Sequence, residues 1–308
     1  MATYRYTIYR LHFTTPIHIG SQRDDYGLSL QSIASDTMYA ALTATLANMG
    51  VHIPENGDLG CVISGLFPYH DNGQKIDYYF PKPPCTQLAE NTTANDRKKL
   101  KKQQWLPLEQ FEQVLHGKSL SEPFEMPDFI HSQVSERVKV SRDGAEDATP
   151  FYMDRISFSE QSGLFFLAEG NTQMIDKALP LLALEGIGTD RNVGNGFFEY
   201  QKDTLSIDIP NNATYAMSLS TYIPASKEQL AQSIDQYSSY ELIRRGGWIT
   251  TSPYNTIRKN AIYAFAEGSM FYGLQTGDGK IVDLAPTGIV QHPVWRCGKA
   301  FFLPVKLS

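Results

Sequence analysis

The segment 186–196, which lies past the middle of the chain, contains four glycines among its eleven residues, in the string Gly-Ile-Gly-Thr-Asp-Arg-Asn-Val-Gly-Asn-Gly. Because glycine lacks a Cβ, this segment (the glycine loop) can adopt backbone angles that other residues avoid, and another chain can approach its amides closely. Successive amides in such a loop form a concave surface that attracts anions. Arg191 lies at the centre of the string, and its planar guanidinium matches the geometry of a phosphate.

The elements that flank the glycine loop exclude two common nucleotide-binding motifs, the dinucleotide-binding loop and the P-loop. Residues 174–184 have a helical pattern and residues 196–201 have a strand pattern, so the loop leaves a helix and enters a strand. A dinucleotide-binding loop has the opposite order, and a P-loop requires Gly-Lys-Ser/Thr. Two interpretations remain: a structural connection rich in glycine, or a cradle for a longer phosphate-bearing chain. Arg191 favours the second.

Length and cysteine content set the class of protein. A chain of 308 residues is long enough for two domains. No run of 18 apolar residues occurs, and a strand-like pattern follows Met1 directly, so we expect neither a membrane span nor a signal peptide. Cys61, Cys85 and Cys297 are far apart and form no Cys-x-x-Cys motif. We therefore predict a cytoplasmic protein with reduced thiols, without a disulfide framework, a metal site or a cofactor.

Charge is unevenly distributed along the chain. The net charge is −6, yet residues 241–308 hold eight Lys and Arg against four Asp and Glu, whereas residues 1–240 hold 19 against 29. Non-specific binding to nucleic acid is largely electrostatic, so this balance excludes a promiscuous nucleic-acid binder. It is compatible with a protein that binds one strand in one groove and leaves its acidic surface to protein partners or solvent.

Strand patterns and short amphipathic helices in both halves of the chain predict an α+β fold of two ferredoxin-like (RRM-like) domains. The turn-rich string Asp-Ile-Pro-Asn-Asn-Ala at 208–213 marks the boundary, so the predicted domains are residues 1–207 and 208–308. The first domain carries an insertion at 81–132 and a β-hairpin at 133–158. Sheets of this kind also form the commonest readers of single-stranded RNA.

Several local elements follow from the same patterns. Polar and apolar residues alternate over 4–13, which predicts the first strand. Ser35 is predicted to cap a helix whose apolar face begins at Met38. In the second domain, residues 262–265 and 270–274 are predicted to be a pair of strands.

His18 lies where the first predicted strand gives way to a loop, in the string Thr-Pro-Ile-His-Ile-Gly, and Gly20 and Ser21 border the same place. An imidazole there would stack on or hydrogen-bond a nucleotide, or move a proton during RNA cleavage. A structural role inside the fold is the third interpretation. Asp24 and Asp25 form a carboxylate pair in the same loop, which is typical of a solvated turn.

Basic residues recur on the predicted hairpin. Arg137 and Lys139 share one face of the first arm, because side chains alternate along a strand. Arg155 lies on the second arm. Ion pairs with Glu136 or Asp154 are the alternative to a contact with nucleic acid.

Basic residues also recur in two further places. Arg244 and Arg245 are followed by Gly-Gly-Trp, and Arg258 comes soon after. Residues 97–102 in the insertion include five basic residues in six, which usually indicates a solvated helix face and otherwise a contact with RNA or a protein partner.

Taken together, these strings resemble a known family. The similarity to the RAMP superfamily of CRISPR proteins rests on residues 16–20, residues 35–42 and the glycine loop. Four further strings resemble the family of the fourth subunit of the type III-A (Csm) interference complex, and they lie at 78–83, 244–249, 267–270 and 292–301. The glycine loop is shared by all RAMP proteins, so the carboxy-terminal strings make the resemblance specific.

The resemblance implies two ferredoxin-like domains and a non-catalytic role in a type III-A effector complex. Such a subunit caps the 5′ end of the guide RNA (crRNA), grips its repeat-derived handle, and joins the large polymerase-like subunit to the first backbone RAMP subunit. The resemblance also implies that the hairpin at 133–158 is a thumb that wedges into the guide–target duplex. Because the thumb tip at 143–147 is acidic, we expect its RNA contacts to come from the arms.

Three functional hypotheses follow. The first is a scaffold without enzymatic activity, whose predicted RNA contacts are His18, Gly20, Ser21, Arg137, Lys139, Arg155, Gly186, Gly188, Arg191, Asn192, Gly194, Gly196, Arg244, Arg245 and Arg258. The second is a metal-independent endoribonuclease that processes precursor crRNA, for which His18 and Tyr39 form the only plausible acid–base pair. The third is a purely structural subunit, which leaves Arg191 and the loop glycines unexplained.

Overall fold

The computed structural model describes residues 2–20, 26–84, 86–139, 147 and 149–307. The first part of the described chain forms β1 (Ala2–Phe13), α1 (Ser35–Asn48), β2 (Cys61–Ile63), β3 (Phe67–Asp71), β4 (Ile76–Pro81), α2 (Ala94–Lys102), β5 (Trp105–Pro107), α3 (Leu108–Leu115), β6 (Ile130–Lys139), β7 (Thr149–Phe158), β8 (Gly163–Gly170), α4 (Gln173–Glu185) and β9 (Phe198–Ile209). The remainder forms β10 (Tyr215–Ser218), α5 (Lys227–Ser233), β11 (Leu242–Arg245), β12 (Ile262–Phe265), β13 (Met270–Tyr272), β14 (Ile281–Asp283), β15 (Trp295–Cys297) and β16 (Phe302–Val305). Antiparallel sheets combined with helices confirm the predicted α+β class. Among the described residues, no helix has the length and apolar composition needed to cross a membrane.

Seven strands form one antiparallel sheet in which β1 lies between β8 and β9. The order is β5-β4-β3-β8-β1-β9, and β2 pairs with β8 beside this path. β1 pairs with β8 on one side and with β9 along its whole length on the other, from Ala2 opposite Ile209 to Phe13 opposite Phe198. Because β9 starts at Phe198, the glycine loop ends beside the segment that follows β1.

Alternation along β1 divides the core between the two faces of this sheet. Tyr9 and Leu11 pack with α1 and α4 on one face. Ile8 packs on the opposite face with the insertion and the carboxy-terminal part of the chain. Leu100 of α2 and Phe111 of α3 belong to this second cluster, so the insertion is packed against the sheet through both of its helices.

β6 and β7 form a separate two-stranded ladder, from Ile130 opposite Phe158 to Lys139 opposite Thr149. This ladder confirms the predicted hairpin and extends it by three residues before 133. The residues of the tip from 140 to 146 lie outside the described residues.

The carboxy-terminal part of the chain contains a three-stranded sheet of order β13-β10-β16 and two small ladders, β11–β12 and β14–β15. The prediction that residues 262–265 and 270–274 pair with each other is wrong. β12 pairs with β11, and β13 pairs with β10. The other edge of β12 is occupied by Tyr222, whose backbone exchanges hydrogen bonds of 3.0 and 2.9 Å with Phe265.

The amino-terminal end of α1 is held by residues from the other part of the chain. The prediction that Ser35 caps this helix is wrong, because Ala34 precedes the helix and Ser35 is its first residue. Ser35 N donates to Glu267 Oε1 at 3.2 Å, and Ser35 Oγ accepts from Thr221 N at 2.9 Å. The Glu267 carboxylate, from the connection between β12 and β13, thus accepts a hydrogen bond from a backbone amide that has no partner within α1.

Candidate nucleic-acid interface

The segment that follows β1 is fastened to the glycine loop by backbone hydrogen bonds. Gly196 N donates to Pro16 O at 2.9 Å, and Thr189 N donates to His18 O at 3.0 Å. These two bonds fix both ends of the loop against residues 16–18. The Pro-Ile-His-Ile-Gly string and the glycine loop, which are far apart in sequence, therefore form one structural unit.

The same segment also holds the second arm of the thumb. Ile17 and Ile156 exchange two hydrogen bonds of 2.8 Å each. His18 is 1% exposed, and its Nδ1 donates to Asp154 O at 2.7 Å. The Asp154 carboxylate in turn accepts from Ser132 Oγ on the first arm at 2.6 Å. Of the three interpretations of His18, the structure favours the structural one, because the imidazole is directed inward and positions backbone.

Arg137 of β6 forms an ion pair with Asp190 in the glycine loop. Both side chains are half-buried, and Arg137 Nη1 also lies 3.8 Å from Met153 Sδ. The partner of Arg137 is thus neither Glu136 nor Asp154, which were the alternatives drawn from the sequence. The ion pair adds a direct contact between the first arm of the thumb and the loop.

Three glycines of the loop are required by close backbone approaches. Gly186 has a φ of 76°, and a Cβ there would lie 2.7 Å from Asn195 O. Gly188 and Gly196 have φ values of 99° and 78°, which L side chains rarely adopt. A Cβ at Gly188 would lie 2.8 Å from His18 O, and a Cβ at Gly196 would lie 2.0 Å from Ile187 O. Only glycine at 188 permits the loop to pack this tightly on the segment after β1, and only glycine at 196 permits the close approach to Ile187 within the loop.

Part of the loop backbone remains available for a ligand. Four of its amide nitrogens make no hydrogen bond within the described ranges, and they belong to Gly188, Asp190, Arg191 and Asn192. Arg191 Nη1 lies 3.5 Å from Gly186 O, at the upper limit of a hydrogen bond. Since Arg137 neutralises the Asp190 carboxylate, Arg191 gives this surface an excess of positive charge. Free amides beside a guanidinium form a cradle suited to phosphate.

The other predicted contacts near the loop are placed as follows. Gly20 is exposed and forms an isolated bridge with Ser29. The backbone of Lys139 ends the β6–β7 ladder, and its side chain is not among the described ones. Arg155 is half-buried on β7, and its Nε has no hydrogen-bond partner in the described chain. Residues named above that lie outside the described ranges are Ser21, Asp24, Asp25 and Cys85.

The three predicted arginines of the carboxy-terminal part have different surroundings. Arg244 is exposed on β11. The Arg258 guanidinium is exposed and stacks on the Trp248 ring, 5.2 Å from its centroid. Arg245 donates from Nε and Nη2 to the two carboxylate oxygens of Asp36 at 2.8 and 2.6 Å. Nε and Nη2 of Arg245 thus make contacts inside the protein, and its contact with RNA stays a prediction.

Asp36 is the centre of a buried charge network between the two parts of the chain. Arg296 also pairs with it, with Nη1 3.4 Å from Oδ2 and 3.1 Å from the Asp36 backbone oxygen. Burial alone would raise the pKa of Asp36, but Arg245 and Arg296 hold it below its ordinary value. Burial raises the pKa of Glu267, which accepts from Ser35 N in the same region.

Asp36, Glu267 and Arg296 were not predicted from the sequence to interact, although the strings that contain them were singled out there. Each of them lies in one of the strings that carry the resemblance, at 35–42, 267–270 and 292–301. Isolated charged residues in separate strings have no visible partner until the fold brings them together.

Tyr39, the proposed partner of His18 in RNA cleavage, is fully buried on α1. Its hydroxyl donates to Gly57 O at 2.9 Å and accepts from Leu59 N at 2.8 Å. Burial raises the pKa of Tyr39 far above its ordinary value. The Tyr39 hydroxyl and the His18 imidazole are therefore bound to different backbone segments in the interior.

The basic run at 97–102 is divided between internal and solvent-facing roles. Arg97 donates to three carbonyl oxygens of the turn before α2 at 3.0–3.2 Å. Lys99 pairs with Glu125 at 3.0 Å. The remaining basic side chains are exposed, and they are Lys98, Lys101 and Lys102.

Comparison with known proteins gives consistent relatives over most of the chain. Residues 211–305 match the family model described as the CRISPR Csm4 C-terminal domain. The "CRISPR system Cms protein Csm4" of Thermococcus onnurineus (strain NA1) is 30% identical over 261 residues, which cover 80% of this chain and 81% of that protein. The protein of the same name from Streptococcus thermophilus is 24% identical over 319 residues, which cover 98% and 99%.

Solved structures with the same fold cover almost the whole chain. A chain from a Csm1–Csm4 cassette in complex with cA4 superposes with a TM-score of 0.63 at 21% identity, covering 99% of both chains. A chain from a Csm3–Csm4 subcomplex of the type III-A CRISPR-Cas interference complex superposes with a TM-score of 0.61 at 18% identity, covering 97% of this chain and 99% of that one.

Proposed function

Because the chain belongs to the Csm4 family of CRISPR RAMP proteins, we propose that it is the subunit of a type III-A (Csm) effector complex that holds the 5′ handle of the crRNA. The observation that carries this proposal is the unit formed by the glycine loop, residues 16–18 and the thumb. Three elements that are distant in sequence meet there, and four loop amides beside Arg191 have no hydrogen-bond partner in the part of the chain that the structure describes.

A phosphate backbone is the ligand that this unit fits best. Backbone amides and a guanidinium read phosphate without regard to base, and such contacts fix the position and direction of a strand. A repeat-derived handle has the same sequence in every guide, so it needs only to be held in register. The thumb stands on the same unit, and we infer that it meets the guide–target duplex where the handle ends.

We further propose that the chain bridges the large subunit and the first backbone RAMP subunit. Related chains occur in a Csm1–Csm4 cassette and in a Csm3–Csm4 subcomplex. Both superpositions include at least 97% of the residues of this chain. The excess of acidic residues in 1–240 suits surfaces that meet protein. The exposed lysines of α2 are candidates for one of these contacts.

We interpret the two parts of the chain as ferredoxin-like units. In the first, β9-β1-β8-β3 with α1 after the first strand and α4 after the third has the order of the split βαβ fold. In the second, the order β16-β10-β13 matches the fourth, first and third strands of the same fold, and α5 follows β10 as the first helix follows the first strand.

We propose that the subunit is not an enzyme. The endoribonuclease hypothesis needs a general acid and a general base that reach the RNA. The His18 imidazole and the Tyr39 hydroxyl are instead bound to protein backbone, which leaves this hypothesis without its only acid–base pair. We place the function in the cytoplasm, where Cys61 and Cys297, both buried and unpaired, would stay reduced.

Binding of the full chain to two RNAs of equal length tests the proposal. One RNA carries the repeat-derived handle followed by a guide, and the other carries a scrambled handle before the same guide. We expect at least tenfold tighter binding of the first RNA and no change in its length during incubation. Equal affinities would refute handle binding. Shortening of a repeat-containing precursor by the wild type but not by His18→Gln would establish the endoribonuclease instead.

A further inference from the structure

A surface pocket lies beside β5, the outermost strand of the seven-stranded sheet, between the end of α2 and residues 123–126. Its volume is about 420 Å³, within the range of about 300–1,000 Å³ that is typical of ligand pockets. The apolar part of its lining consists of Trp105, Pro123, Phe124 and Met126. None of the residues predicted to contact RNA is among the described residues that line it.

The two walls of the pocket are joined by one glutamine. Gln103 Nε2 donates to Trp105 O at 2.8 Å, and Gln103 Oε1 accepts from Phe124 N at 3.2 Å. The Phe124 ring also packs on Tyr79, with 5.6 Å between the ring centroids. Because the walls are connected before a partner binds, little conformational freedom is lost on binding.

Lys102 places a free positive charge on the rim of this pocket. Its side chain is exposed, and no hydrogen bond or ion pair joins its ammonium to a described residue. A lysine at the end of a helix often serves the last carbonyl groups. Here Lys82 Nζ already donates to Leu100 O and Lys101 O. The charge of Lys102 is therefore available to a partner, and the exposed Lys98 and Lys101 make its surroundings more positive.

The lining favours a protein ligand over a nucleic acid. A single strand of RNA gains affinity from stacking on open aromatic faces. The rings of Trp105 and Phe124 are instead half-buried against other aromatic side chains. The Glu125 carboxylate, which pairs with Lys99 at 3.0 Å, is also part of the rim. A concave apolar lining that includes Met126 suits the side chain of a protein, since methionine is frequent at adaptable protein-binding surfaces.

The position of the pocket on the sheet indicates which partner reaches it. Ile17 and Ile187, which belong to the unit of the glycine loop, lie in the core on one face of β1. Leu100 and Trp105 pack into the core on the opposite face. A subunit that binds the rest of the guide meets this chain on the side of the thumb and the glycine loop. The large subunit is the partner that remains for the opposite face.

We propose that this pocket docks the large subunit by enclosing one apolar side chain that is flanked by Asp or Glu. The apolar side chain packs against Trp105, Phe124 and Met126, and the flanking carboxylate pairs with Lys102. This inference rests on the proposed bridging role, and it names the surface and the chemistry of that contact. An apolar anchor in a pocket with a polar rim is the common arrangement at the centre of a protein interface.

The test measures the affinity of full-length variants for the purified large subunit at about 0.1 and 0.5 M salt. Lys102→Glu should weaken binding about tenfold at the lower salt concentration, and less at the higher one, because it reverses a charge on the rim. Met126→Asp should weaken binding about tenfold or more at both concentrations, because it places a carboxylate against the apolar anchor. Both variants should bind the handle RNA as the wild type does.

The matched control is Lys227→Glu, an equal charge reversal at the exposed start of α5, which should bind the large subunit as the wild type does. Lys102 is exposed, so its variant reports on binding even where Met126→Asp lowers the melting temperature. If Lys102→Glu and Met126→Asp both bind the large subunit as the wild type does, the pocket is wrong and the bridging role stands.

Two further outcomes would overturn the inference. If the wild-type chain itself does not bind the large subunit, the bridging role is wrong and the inference is wrong with it. If Lys102→Glu and Met126→Asp lose affinity for the handle RNA or for the backbone subunit, while the affinity for the large subunit is unchanged, the pocket belongs to another ligand.

Discussion

Arg137 on the thumb and Asp190 in the glycine loop form an ion pair across 53 residues of sequence. Asp190 has a φ of 63°, so the carboxylate is presented from a left-handed turn at the centre of the loop. The pair neutralises the single acidic residue of the glycine loop, whose charge would oppose a phosphate beside Arg191. It also fixes the thumb at a defined position relative to the glycine loop.

Arg137→Ala should weaken binding of the handle RNA about tenfold, the effect of roughly 1.4 kcal/mol, because it leaves the Asp190 carboxylate unpaired beside the phosphate. Asn adopts left-handed backbone angles readily, so Asp190→Asn should keep the loop conformation. The double variant Arg137→Ala/Asp190→Asn should therefore recover most of the lost affinity. If the double variant binds no better than Arg137→Ala, the ion pair acts on something other than the charge of the cradle.

Gly188→Ala should destabilise the protein more than Gly194→Ala. Both residues have positive φ, 99° and 91°, so both substitutions cost about 1–2 kcal/mol in backbone strain. Only at Gly188 does the new Cβ meet a backbone atom, His18 O at 2.8 Å, whereas Gly194 has open space around it. Overpacking adds about 1–3 kcal/mol. Urea unfolding of both variants measures the difference, and equal losses would contradict the packing of the loop on residues 16–18.

Asp36→Asn should cost about 3–5 kcal/mol of unfolding free energy, because it removes a fully buried carboxylate that pairs with both Arg245 and Arg296. The matched control is Asp58→Asn, which breaks a half-exposed pair with Lys299 at 2.8 Å and should cost no more than about 1 kcal/mol. Chemical unfolding of both variants compares them. Similar losses in the two variants would mean that the charge network around Asp36 is open to solvent.

Lys259 should make the stability of the protein rise with pH. Burial and the nearby Arg296 lower its pKa from an ordinary 10.5 to about 7 in the folded protein, so between these values the unfolded chain binds one more proton. The free energy of unfolding then rises by at most about 1.4 kcal/mol per pH unit, the limit for one proton. The cost of burying the charged Lys259 ammonium is fully present below pH 7. The difference in unfolding free energy between wild type and Lys259→Met, measured from pH 6.5 to 9.5, gives this contribution. A difference that is constant over this range would exclude the lowered pKa.

The parts of the fold that the sequence predicted are those with local signals. The period of two along β1, the helical pattern at 174–184 and the hairpin arms each appear in consecutive residues. The pairing of β12 with β11, and of β13 with β10, depends on which edges the rest of the chain leaves open. No local pattern contains that information, and the prediction was therefore wrong there.

The candidate site divides in the same way. The glycine loop could be recognised because its four glycines and Arg191 are contiguous. The partner of Arg137 could not, because Asp190 becomes its neighbour only when residues 16–18 join the loop to the thumb. The carboxylate partner of Arg245 could not be recognised for the same reason, because Asp36 lies 209 residues away.

Binding of handle-containing RNA by wild type and Arg191→Ala, measured across a series of salt concentrations, tests the central claim most directly. Loss of one guanidinium–phosphate contact should cost about 1.5–3 kcal/mol, or roughly one to two decades of affinity, and should lower the salt slope by about one phosphate contact. The effect should be independent of the guide sequence beyond the handle. Thermal unfolding should barely change, because the Arg191 hydrogen bond to Gly186 O is long, at 3.5 Å. Unchanged affinity and salt slope together with a lowered melting temperature would contradict the account and make the glycine loop a structural turn.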